Sequence, residues 1–386
     1  MNIYTIYNMK TFSEYRNVLK GSAIKESAAP KYTLFPKDKN ELKLMIRKEI
    51  KKQGDNADLN HIDVSNIDDF SELFGEFESF NGDISMWDVS NARTMANMFN
   101  GCNSFNQDIS GWNVSNVTDM SYMFAGSKFN QDISKWDVSN VVDMSDMFYM
   151  AESFNQDLSI WDVSNVTDMS SMFYCAESFN GDVSGWDTPN VEYMSKMFWG
   201  CKAFNQDLSG WDVSNVKNMR EMFYAAKSFN GDISTWDVRN VKTMSGMFED
   251  SSFNGNLKRW NTKNVENMRR MFNGCTKFNQ DISRWDVSKV EDMDAMFWGC
   301  KSFNQDLSSW DVSNVTNMSY MFDKCDLFNQ DISSWNVSKV KKMECMFREC
   351  KNFNQDISDW NVSNETDMSH MFDGCPCSKE YQPKFK

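Results

Sequence analysis

Histidine is almost missing from this 386-residue chain, which carries only His61 and His370. That scarcity removes the commonest general base and a leading metal ligand from most of the sequence. No glycine-rich phosphate loop occurs, and no nucleophile stands outside the repeated pattern with a base beside it. No catalytic residue, cofactor or enzymatic activity is therefore expected. Positive charge is also short. A formal net charge of −15 speaks against nucleic acid or an anionic membrane as the main partner, because both select basic surfaces. No apolar run is long enough to span a bilayer, so no membrane insertion is expected. The opening residues, MNIYTIYNMKTFSEYRNVLK, lack the basic-then-apolar layout of a secretory signal.

Repetition is what the chain has instead. From Trp87 to Trp360, tryptophan recurs every 25 residues, with two steps of 24. Residues 105–124, FNQDISGWNVSNVTDMSYMF, return in near copy over most of the sequence. The two short steps fall at residues 125–130 (AGSKFN) and 249–254 (EDSSFN), so the loop after each Met-Phe pair tolerates a deletion that the rest of the unit does not. A period of this size means stacked coils, each unable to bury its apolar side alone. The fold class expected is an α/β repeat solenoid, leucine-rich-repeat-like and right-handed, of about 13 coils over residues 58–375. Within a coil, Ile109, Trp112 and Val114 follow the pattern L-x-x-L-x-L and predict a short parallel strand. Val117, Met120, Met123 and Phe124 then follow helical spacing for one or two turns and predict a short helix or turn. Stacking at roughly 5 Å per coil gives a rod of about 60 Å.

Residues 1–36 show no stable period and read as a poorly ordered segment and linker. Over residues 37–57 the pattern is helical: Leu42, Met45, Ile46 and Ile50 make one apolar stripe, with Lys43, Arg47, Lys48, Lys51 and Lys52 mostly on a solvated face. Asp38 with Glu41 resembles a capping box, and Gly54 supplies a stop. Such a helix is placed to cover the open end of the first coil. Residues 376–386, with Pro376 and Pro383, form a short tail that is a minimal cap or a frayed end.

Seven cysteines, among them Cys102, Cys201 and Cys275, lie three residues after a Met-Phe pair, where other coils place serine or alanine. Small size is what that column requires, so buried thiols are favoured over inter-coil disulfides or a metal site. Two acidic columns are the main polar feature. In the first, Asp83, Asp108 and their equivalents recur with one exception, Asn256. Carboxylates stacked about 5 Å apart repel by roughly 1 to 3 kcal/mol per pair, so each is expected to cap turn N–H groups. A row of calcium ions between coils is a possible but disfavoured alternative, since the glycine-rich nonapeptide of calcium-binding solenoids is missing.

The second column lies between Trp and Val and is expected to point away from the core. Its members Asp137, Asp162, Asp212, Asp237, Asp286 and Asp311 are candidate partner-binding residues. The position before Trp varies from coil to coil, and Arg259, Arg284 and Asp359 there are candidates for specificity. Sequons such as Asn116-Val-Thr come with the repeat and matter only in a eukaryotic secretory route.

The repeat FN-x-DIS-x-WDVSNVT-x-M-x-x-MF-x-x-C resembles the 25-residue units of the BspA-like leucine-rich-repeat surface-protein family over about 80% of the chain, and the lead-in over residues 35–67 resembles the helical cap that precedes such arrays. The resemblance implies a leucine-rich-repeat-like solenoid, cell-surface attachment and protein binding. The expected function is a non-enzymatic protein-interaction or adhesion module that binds a protein partner through its exposed strand face. Two alternatives stand beside it: a stiff acidic spacer or self-associating coat element, and calcium-dependent binding to a glycan or other polymer.

Overall fold

The computed structural model describes residues 32–385, so the expectation for residues 1–31 lies outside the described residues. The chain is a solenoid. Twelve parallel bridges run in unbroken series from Asp69 through Thr94, Asp119 and onward to Asp367, tying thirteen coils together. Each coil contributes one such bridge, too short to count as a strand.

Inside a coil the chain is a succession of tight turns. Trp112 N–H returns to Ile109 C=O at 3.1 Å, Val117 to Val114 at 2.9 Å, and Met123 to Met120 at 3.2 Å. The expected strand over residues 109–114 is thus a turn, and of the short helix or turn expected over residues 117–124 it is the turn that forms, repeated as a ladder. The three-residue spacing of Val117, Met120 and Met123 is the spacing of consecutive β-turns as well as of a helix. The backbone decides between them by splitting its donors. Met123, Ala125 and Ser127 donate within the coil, while Met120, Tyr122, Phe124 and Gly126 donate to the next coil, at Asp143, Ser145, Met147 and Tyr149. Such a split needs positive φ twice per coil, at Tyr122 (55°) and Gly126 (65°) and at their equivalents.

Apolar columns face inward and stack. Phe99 lies 3.9 Å from Phe105 in its own coil and 5.6 Å from Phe124 in the next, centroid to centroid. Trp112 stacks on Trp136 at 6.5 Å. Every repeat tryptophan also donates its indole N–H to the preceding coil, as Trp186 does to Leu158 C=O at 2.8 Å. Packing and register are therefore carried by one side chain. The column cysteines behave similarly. Their thiols are free, and Cys201 Sγ lies 2.8 Å from Phe173 C=O of the preceding coil. Burial pushes the Cys102 and Cys275 thiols up to about 12. Asparagines complete the stitching: Asn116 Nδ2 donates to Ser90 C=O at 2.7 Å, and Asn106 Oδ1 accepts from the N–H of Asn130 at 2.8 Å. Among the described residues, no buried side-chain nitrogen or oxygen lacks a partner.

Both ends are covered. Helix α1, Lys39–Gln53, starts at Asp38, which accepts from Glu41 N–H at 2.9 Å, and it buries Leu42, Ile46 and Ile50. Its cationic side is partly engaged with the first coil: Lys39 pairs with Asp69 at 3.1 Å, Lys43 donates to Glu72 C=O at 3.0 Å, and Arg47 pairs with Glu76 at 2.7 Å. Residues 32–36 are held by the same coil, through Leu34 bridging Ile62. At the other end Tyr381 C=O accepts from Ile357 N–H at 3.0 Å, and Phe385 bridges Val362.

Positive φ costs an L-residue roughly 1 kcal/mol or more, which glycine avoids. Ala225 sits at φ 52°, whereas its buried neighbour Ala226 does not. Ala225→Gly is expected to raise unfolding free energy by about 1 kcal/mol, and Ala226→Gly to lower it by a similar amount. Urea denaturation of both variants checks the opposition in sign.

Candidate functional site

The polar columns are tied first to the fold. Asp108 Oδ1 accepts from Ser110 N–H at 3.0 Å, and the hydroxyl and N–H of Ser110 hold its carboxyl below the usual range. Asp281 is drawn down to about 2, chiefly by the Lys258 ammonium at 2.7 Å and by Ser283. The second column does the same. Asp137 accepts from Ser139 N–H and Oγ at 3.2 and 2.6 Å, Asp162 from Ser164 at 3.1 Å, Asp212 from Ser214 at 2.9 Å, Asp286 from Ser288 at 3.0 Å and Asp311 from Ser313 at 3.0 Å. Asp237, half-buried, is paired with Arg239 at 2.6 Å. Each carboxylate thus closes the turn that begins at it, and the N–H groups it accepts offset the repulsion along the column.

These residues share one face, formed by the turns around each tryptophan. Asp137, Asp162, Asp212, Asp286, Asp311 and Asp359 are exposed along it. Arg259 and Arg284, also exposed, line a shallow depression of about 560 Å³ together with Lys258, Trp260, Asn261, Thr262 and Asp286.

A second face went unnoticed in the sequence. The residue after the Met-Phe pair is buried in some coils, as at Ala125, Asn273 and Asp323, and half-buried in others, as at Tyr149, Tyr174, Trp199 and Tyr224. In four consecutive coils it is aromatic: Tyr149, Tyr174, Trp199 and Tyr224 stack at 4.6, 4.4 and 4.8 Å. The letter after MF in each of these four coils spells the row, so it was legible once its partial exposure was known. Coils missing one residue, at 125–130 and 249–254, flank the row on either side.

Beyond the second short coil the same column turns ionic. Asp323, fully buried, accepts from Trp298 Nε1 at 2.8 Å and pairs with Arg348 at 2.5 Å. Arg269, Arg270, Asp294, Tyr320 and Glu249 line the adjoining cavity of about 480 Å³. Burial, aided by the nearby charges of Asp250 and Glu221, lifts Glu249 to about 7. Among the described residues no group of three His, Cys, Asp or Glu is placed to hold a metal ion, and no helix is long and apolar enough to cross a membrane.

With its folded pKa raised, Glu249 favours the folded state most while protonated. That contribution is full below about pH 4.5 and is lost as pH rises toward 7. Glu249→Gln is expected to flatten stability across this window and to leave the variant more stable than the parent above pH 7. Thermal unfolding at pH 5, 6, 7 and 8 measures it.

A comparison with curated proteins finds none that matches the chain. Among solved structures the chain is similar to the functional domain of InlJ from Listeria monocytogenes, which includes a cysteine ladder, at 10% identity and a TM-score of 0.20 over 72% of this chain and 63% of that one. It is similar also to a leucine-rich-repeat protein of Leptospira interrogans, at 9% identity and a TM-score of 0.19 over 97% and 95%. The Drosophila Toll–Spatzle complex aligns at 9% identity and a TM-score of 0.23, over 79% of this chain and 43% of that one. The chain therefore spans less than two thirds of the InlJ and Toll chains. A repeat family matches the sequence itself four times over, at residues 41–157, 125–230, 206–297 and 275–384, and the chain belongs to that family, described as Mycoplasma protein of unknown function, DUF285.

Proposed function

We propose that the chain is a non-catalytic protein-interaction module, serving adhesion, that reads its partner with the face formed by the tryptophan turns. One observation carries the reading. Within the tryptophan turns most columns are committed to the core or to a neighbouring coil, while the position before tryptophan is outward and changes from coil to coil: Met86, Lys135, Ile160, Thr235, Arg259, Arg284 and Asp359. Variation confined to exposed positions on a rigid scaffold is how repeat proteins separate recognition from folding. Cell-surface display, which the BspA-like repeat implies, is part of this proposal.

A photo-crosslinking residue placed at Ile160 (72% exposed) or Gly210, in protein returned to intact source cells, tests both parts. Crosslinks to one discrete protein from these positions, and none from Lys341 on another side of the coil, are the expected result. Equal labelling from all three positions sinks the assignment of the face. Crosslinks that form only after lysis sink the surface placement.

A second reading rests on the aromatic row. The inner rings, Tyr174 and Trp199, spend both faces on their neighbours, which leaves their edges, and among the described residues the hydroxyls of the row and its indole N–H make no hydrogen bond. The row is therefore suited to edge contacts with a protein and not to stacking under a sugar ring. Trp199→Ala with Tyr174→Ala is expected to weaken partner binding about tenfold or more if this face is used, measured by biolayer interferometry with the crosslinked partner, and to leave affinity unchanged if it is not.

A further inference from the structure

In the tenth of the chain centred on Trp260 the repeat reverses its charge. The coil before last in regular form reads Asp207-Leu-Ser209-Gly210-Trp211-Asp212-Val-Ser214, and here the same positions hold Asn256, Leu257, Lys258, Arg259, Trp260, Asn261, Thr262 and Lys263. Both column carboxylates have become amides, and three small neutral residues have become cations, a change of five charges within one turn region. The fold does not require it. Asn256 and Asn261 still close their turns, accepting from Lys258 and Lys263 N–H at 3.0 and 3.4 Å, and Thr262 replaces the buried valine by donating its hydroxyl to Asp286 C=O at 2.9 Å.

The cations are only partly spent. Lys258 pairs with Asp281, but Arg259, Lys263 and Arg284 form no ion pair among the described residues. Arg259 and Arg284 stand one coil apart, close to 5 Å along the stack, on the rim of the depression lined by Trp260, Asn261 and Thr262. Its one carboxylate, Asp286, spends Oδ1 on the N–H and hydroxyl of Ser288. Two guanidinium forks beside the amide of Asn261 suit carboxylate groups.

We propose that this basic island receives an acidic, carboxylate-bearing segment of the partner protein. The proposal rests on the tryptophan-turn face being the binding face and names the chemistry of the partner there. The three substitutions Arg259→Ser, Lys263→Ser and Arg284→Ser install the residue that other coils carry in these columns, as at Ser309, Ser313 and Ser334, so the fold should be kept.

Fluorescence anisotropy with a labelled decaglutamate peptide, on the whole chain at low salt, is the test. The native chain should bind it, Lys341→Ser should bind within about twofold, and the triple variant should lose about tenfold or more. Arg259→Lys with Arg284→Lys should keep part of the affinity, the ion attraction without the forks. The proposal is overturned if the native chain fails to bind decaglutamate, if the triple variant binds undiminished, or if a duplex oligonucleotide of equal charge binds more tightly. Sedimentation velocity adds one more decisive outcome: a concentration-dependent dimer lost in the triple variant would make the occupant the acidic face of a second copy. Crosslinks from Ile160 that persist while decaglutamate fails would defeat this inference and leave the binding face standing.

Discussion

The structure depends on how each coil divides its backbone donors. In the ladder of turns one N–H closes a turn inside the coil and the next reaches the coil beyond, so every second residue is fixed in register with its neighbour. An inserted or deleted residue in that stretch would exchange the two sets and send the apolar side chains outward. The loop after Met-Phe escapes this rule because a side chain can replace a lost turn there. In full-length coils Phe105 N–H returns to Cys102 C=O at 3.1 Å. In the two short coils Phe129 and Phe253 donate to the hydroxyls of Ser127 and Ser251, each at 3.3 Å. Serine stands in the cysteine column at these two places because its hydroxyl does the work of the missing peptide.

Stacking explains why the regular columns are so regular. Tryptophan, cysteine, asparagine and the two aspartate columns each satisfy a backbone group, either one coil back or two residues on. Loss of a column tryptophan leaves the buried carbonyl that its indole N–H reaches unpaired, as at Leu158, at a cost of about 1 to 3 kcal/mol. In an array whose coils contact only their neighbours, such a loss weakens one interface that nothing else bypasses.

Much of this was legible and some was not. The period, the solenoid and the inward columns follow directly from tryptophan spacing and the apolar positions. Turn capping by Asp108 and its equivalents followed from the electrostatic cost of stacking carboxylates. The ladder stayed open between helix and turns for a physical reason. Met120 and Met123 are three apart, as a helix would have them, and the positive-φ residues that mark a turn are mostly not glycine. Asn97, Tyr122, Asp146 and Ser171 adopt φ between 54° and 58° because inter-coil hydrogen bonds hold them there, a constraint that no single coil contains. With helix and turns undecided, the partial exposure of Tyr149, Tyr174, Trp199 and Tyr224 could not be read, and the row stayed hidden among core aromatics.

If the molecule recognises a partner, recognition lives in the departures from the repeat, and the distances along the stack decide whether departures act together. Coils advance about 4.8 Å each, so the four periods separating Trp161 from Trp260 span about 19 Å. Ionic strength near that of a cell screens exposed charges beyond about 8 Å. Asp162 and Arg259 therefore do not neutralise one another, although they share a face and the chain is acidic overall. A ligand within a Debye length of Arg259 meets a positive surface, and one near Asp162 meets a negative surface. The tryptophan-turn face is for this reason a sequence of separate electrostatic zones, and a partner long enough to cover several of them must carry the complementary sequence of charges in order.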